Sequence, residues 1–65
     1  MELISFNYCQ FNFKSHTVIF YPVRKGYRVE VTETRDASKV TKYIDVLNTP
    51  SLHTAETLIL KLFKD

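Results

Sequence analysis

The chain is poor in the residues that build specialised loops and cross-links. Among its 65 residues there is one glycine, Gly26, one cysteine, Cys9, and two prolines, Pro22 and Pro50. A lone glycine excludes a Walker-type P-loop and a GxGxxG dinucleotide loop. A lone cysteine makes no internal disulfide, which fits a reducing compartment and sets the expectation of a cytoplasmic protein. The longest apolar run, Val18-Ile19-Phe20-Tyr21-Pro22-Val23, is far short of the roughly 18 residues that a membrane span needs, so no membrane association is expected. The opening Met1-Glu2-Leu3-Ile4-Ser5 is acidic and soon meets Asn7 and Gln10, so no secretory leader is expected either. Charge of one sign is also scarce: 9 Lys and Arg stand against 7 Asp and Glu, a net +2. With 45% hydrophobic residues, that balance belongs to a chain that folds rather than to a disordered one.

What is present reads as one small domain without linker, repeat or low-complexity tract. Such a chain buries only about 60% of the surface its unfolded form exposes, so its stability margin is thin. Before Pro50 the hydrophobic rhythm has period two, the mark of strands with one buried face. Tyr27, Val29 and Val31 alternate with Arg28, Glu30 and Thr32, predicting a strand over 27–34. Thr17 to Tyr21 is apolar on both faces, as a short buried helix could also be. Its length, its β-branching and the Pro22 after it favour a central strand over 17–22 that ends there. Arg24-Lys25-Gly26 then supplies a hairpin turn, with Gly26 free to take a positive φ.

Arg35-Asp36-Ala37-Ser38 reads as a second turn, followed by a strand over 39–46. There Val40, Ile44 and Val46 share a face with one misfit, Lys42, which calls either for an edge position and a snorkelling side chain or for a bulge. The opening segment changes phase, with Ile4, Phe6 and Tyr8 on even numbers but Phe11 and Phe13 on odd ones. Two readings stay open for a strand over about 3–13: a β-bulge around Cys9-Gln10, or two short strands with a break between them. After Pro50 the period becomes helical. Ser51 is a candidate N-cap, and Leu52, Ala55, Leu58, Ile59, Leu62 and Phe63 form an apolar stripe on a helix over 52–64. Leu60 points away from that stripe. The expected fold is α+β: a small antiparallel β-meander of three to four strands with one C-terminal helix packed on one face, β-β-β-β-α.

Candidates for chemistry are few and scattered. Cys9 has no lysine or arginine within four residues and lies in an apolar segment, the setting of a partly buried filler. His53 and Glu56 are three apart, which can share a helix face, but with His16 and Cys9 they match no zinc spacing. No carboxylate pair has acid–base character. No catalytic residue, cofactor site or metal site is expected, and the chain is read as a non-enzyme.

Surface residues say more. Arg24, Lys25 and Arg28 gather near Tyr21 and Tyr27, and cations beside aromatics on a sheet are a way to hold nucleic acid. From Thr17 to Phe63 the order of three strands and a helix, with Thr49-Pro50 and Thr54-Ala55-Glu56 around the helix start, resembles the layout of plant AP2-type and integrase arm-type DNA-binding domains. That resemblance implies a sheet laid in the major groove. Such sheets present tryptophans and dense arginines, whereas this chain has no Trp and alternates sign along its outer face, Arg28 beside Glu30 and Tyr43 beside Asp45. The first expectation is therefore a protein partner: a small regulator, adaptor or inhibitor whose contact residues are Arg24, Lys25, Tyr27, Arg28, Tyr43 and, more weakly, Leu60. Nucleic-acid binding through the same sheet is the alternative. An open strand edge also invites self-association.

Overall fold

The computed structural model describes residues 8–63. Four strands, β1 (Cys9–Asn12), β2 (His16–Val23), β3 (Gly26–Arg35) and β4 (Ser38–Val46), precede one helix, α1 (Leu52–Phe63). The strands form a single antiparallel sheet in the order β1-β2-β3-β4. This is the expected α+β meander with a C-terminal helix. The expectations for Ile4 and Phe6 and for the last helical residue, Lys64, lie outside the described residues.

Two tight turns set the register. Arg24 and Lys25 alone separate the paired Val23 and Gly26. Gly26 takes φ 117, and a Cβ there would run into the carbonyl oxygen of Val46 on β4. Both the backbone angle and the close approach therefore demand glycine. Asp36 and Ala37 make the second turn, with Asp36 in the left-handed region at φ 57, where aspartate is tolerated better than most residues. The second strand runs one residue past Pro22 to Val23, rather than stopping at the proline.

Period-two alternation sorts the side chains onto two faces. On the helix side Val18, Phe20, Val29 and Val31 are fully buried, together with Ala55 and, almost fully, Leu58 of α1. The helix packs closest on β2. Phe11 and Tyr27 meet the ring of Phe20 edge-on at 5.7 and 6.3 Å, the offset geometry that aromatic quadrupoles favour. The Ser51 cap forms as expected: the backbone N–H of Thr54 donates to Ser51 Oγ at 3.1 Å, and that of Ala55 to the Ser51 carbonyl at 2.9 Å.

Three expectations change. Leu52, placed in the apolar stripe, is 55% exposed, because it opens the helix beyond the sheet residues that cover Ala55 and Leu58. No bulge interrupts the described pairs of β1, which run unbroken from Cys9 opposite Phe20 to Asn12 opposite Thr17. Plain alternation then sends Tyr8 to the outer face, where it is 52% exposed and its ring lies 6.0 Å from that of Tyr21. Cys9, read as a partly buried filler, is exposed, since it sits on a strand at the border of the sheet. Lys42 keeps its register without a bulge. Its ammonium donates to the Leu62 carbonyl at 2.8 Å and lies 4.9 Å from the centre of the Phe63 ring. It thus satisfies a free carbonyl at the helix C-terminus, where a cation is favoured.

Candidate functional site

The outer face of the sheet is the surface that the helix leaves uncovered, and it is built as rows of cross-strand partners. In one row Tyr21 lies opposite Arg28, which lies opposite Asp45; in the next, Ile19, Glu30 and Tyr43 align; in a third, Thr17, Thr32 and Thr41. Polar tips join along and between these rows. Arg28 Nε donates to Asp45 Oδ1 at 3.1 Å, the Tyr21 hydroxyl donates to Glu30 Oε1 at 3.2 Å, and the Thr32 and Thr41 hydroxyls are 3.0 Å apart. Asp45 raises the Arg28 pKa above its ordinary value, first through the hydrogen bond and then through its charge, so the guanidinium is the more firmly cationic. Partial desolvation, followed by the charge of Glu30 and the hydrogen bond to it, raises the Tyr21 phenol above 10.0.

The six expected contact residues do not form one patch. Arg28 and Tyr43 come together: with Ile44 and Asp45 they line one shallow hollow on β3 and β4, and Tyr43 is 62% exposed. Arg24 and Lys25 are exposed in the β2–β3 turn, at the end of the sheet. Tyr27 faces the helix side, half-buried against the core, as odd numbering in β3 requires. Leu60 is 68% exposed on α1 and borders a groove with Phe13, His16 and Ile59, on the helix side of the molecule. Sequence reasoning missed Tyr8. The signal that finds it is the simplest one available, unbroken alternation back from Phe11.

The candidate chemical groups are kept apart. His53 lines a groove between α1 and β4, while Glu56 and His16 border the groove on the other flank of the helix. The i, i+3 spacing of His53 and Glu56 therefore does not join them. His16 Nε2 stands 3.4 Å from Glu33 Oε2 without a hydrogen bond, and its ring packs edge-on to Phe63 at 5.3 Å. Among the described residues no three His, Cys, Asp or Glu side chains gather as metal ligands would, and no helix is long and apolar enough to cross a membrane. No family model, curated protein or solved structure matches the chain.

Proposed function

We propose that this protein is a non-enzymatic binding module that captures a protein partner on its outer sheet face, as a regulator, adaptor or inhibitor. The observation that carries this reading is the uncovered face itself. Three tyrosines, Tyr8, Tyr21 and Tyr43, stand on it with Arg28, while Arg28 is matched to Asp45 and Glu30 to Tyr21 across the strands. Tyrosine offers a large rigid surface with a polar tip, and both tyrosine and arginine are favoured at protein contacts. Arg28 and Lys39 balance Glu30 and Asp45 on this face, with Arg28 bonded to Asp45 and Tyr21 to Glu30, a mixed-charge pattern suited to discriminating a partner by local complementarity. A polyphosphate backbone instead requires a one-sided positive field. Among the described residues Arg24 and Lys25 lie in the turn at one end of the sheet and Lys39 near its other end, so the cations are spread rather than gathered into one field. The dispersal of Cys9, His16 and His53 supports the non-enzymatic part of the reading, because catalysis needs converging groups.

The experiment is affinity capture from the native host, with and without nuclease, comparing the wild type with Arg28→Ala and Tyr43→Ala. Both substitutions are expected to abolish capture while leaving the melting curve nearly unchanged, and nuclease is expected to have no effect. Capture that survives both substitutions defeats the assignment of the face. Capture lost to nuclease, with binding to labelled DNA that weakens steeply with added salt, turns the reading to nucleic acid.

A further inference from the structure

We infer that the free edge of β4 pairs with the same edge of a second copy, joining two sheets into one about a two-fold axis at Lys42. The argument starts with the direction of backbone groups. The Thr34 N–H donates to the Ser15 carbonyl, on the β2 side. Alternation then turns the odd residues of β3 toward β4, and their partners there are Ser38, Val40, Lys42, Ile44 and Val46. The N–H and C=O groups of Lys39, Thr41, Tyr43 and Asp45 are left pointing outward, and among the described residues no strand pairs with that edge.

Self-pairing must match outward groups with outward groups, which restricts the register to steps of two residues. One such register overlaps the whole strand, with Ser38 opposite the partner's Val46. It sets Lys39 opposite the partner's Asp45 and Asp45 opposite the partner's Lys39, both on the outer face. It also sets Thr41 opposite the partner's Tyr43. On the helix side it brings Val40, 44% exposed where the helix does not reach it, beside the partner's Ile44. Opposite charges and aromatic–threonine neighbours are favourable cross-strand pairs. Sliding by one step places Lys39 opposite either the partner's Leu47 or the partner's Tyr43, and the charge match is lost. Because β4 is basic at one end and acidic at the other, an antiparallel copy of itself is a complementary occupant.

The residue on the axis decides whether this edge is guarded. A lysine in the middle of an edge strand, pointing toward the covered face, normally deters edge pairing. Here the Lys42 ammonium is drawn back onto its own helix, held by the Leu62 carbonyl and the Phe63 ring, so two such residues can meet across the axis with their charges turned apart. The pairing rests on the edge backbone and its register on the outer-face residues Lys39, Thr41, Tyr43 and Asp45, while its readouts, mass in solution and cross-linking at 42, are separate from capture of a partner.

The test combines mass in solution with register. Sedimentation equilibrium of the full chain is expected to show a monomer–dimer equilibrium. Lys39→Glu is expected to weaken the dimer about tenfold, since two pairs turn from attraction to repulsion, and Lys39→Glu with Asp45→Lys to restore it. In a Cys9→Ser background, Lys42→Cys is expected to oxidise to a covalent dimer, because residues facing across the axis bring their Cα atoms within disulfide reach. Thr41→Cys and Tyr43→Cys are not. A monomer at every concentration overturns the inference. Cross-linking at 41 or 43 in place of 42, or a dimer indifferent to Lys39→Glu, overturns the register.

Discussion

The two faces of this sheet are made by the same strands, residue by alternate residue, and they are stabilised in opposite ways. Beneath the helix, Val18, Phe20, Val29 and Val31 are sealed from water, and burying such side chains contributes roughly 1.5–3 kcal/mol each. On the outer face, Arg28 meets Asp45, Tyr21 meets Glu30 and Thr32 meets Thr41. Exposed pairs of that kind contribute little to stability because water competes for both partners. One face therefore holds the fold, and the other is free to present a pattern. That division leaves a whole surface of this small domain without a structural duty, which is what the proposed recognition role requires.

The largest way to break the comparison is to uncover the helix face. A chain ending at Pro50 loses Ala55 and Leu58 from the core and is expected to show no cooperative thermal transition by circular dichroism. A sharp melt of residues 1–50 would mean that the sheet stands without its cover. Less drastic is Phe20→Ala, which removes the largest fully buried ring and its edge contacts with Phe11 and Tyr27. Its cost is expected at about 3–5 kcal/mol in urea unfolding, enough to unfold most molecules of so small a domain. Tyr43→Ala, on the other face of the same sheet, is expected to stay within about 0.5 kcal/mol. Similar losses for the two would end the division of labour between faces.

The cap of α1 tests the same division at smaller scale. Ser51→Ala leaves the Thr54 N–H without its acceptor and is expected to cost about 1 kcal/mol, while Ser51→Asp restores most of it. An unchanged unfolding midpoint in Ser51→Ala would show that the first helical turn carries none of the cover's stability.

Much of this architecture was legible because it is local. The alternation from Tyr27 to Thr34, the serine before the helical period and the lone glycine at the hairpin each report on their own neighbours in the chain. Tyr8 was passed over although alternation back from Phe11 places it, because a tyrosine looks apolar to a periodicity argument and so was grouped with Ile4 and Phe6. Lys42 was legible as an edge residue, since β4 borders the sheet, but the partner of its ammonium was not: that is the Leu62 carbonyl, 20 residues away. Leu52 shared the helical period, but the reach of the sheet beneath it, not the period, decides burial. The contact residues divided in the same way. Arg28 and Tyr43 were placed together by strand parity, whereas Tyr27, two residues from Val29, was carried by parity to the dry side.

The smallest effect concerns protons on the outer face. Desolvation, and then Glu30, raise the Tyr21 phenol above its ordinary 10.0, so the folded chain holds that proton more tightly than the unfolded chain does. Stability linked to Tyr21 is then fully present below the ordinary phenol value and is lost as pH rises through the higher folded-state value. Tyr21→Phe removes the titrating group. Urea unfolding compared near neutrality and above the ordinary phenol value is expected to show the wild type losing more stability than the variant. If both lose it in parallel, the Tyr21–Glu30 bond is not held in solution, and the outer face is a less ordered pattern than its cross-strand rows indicate.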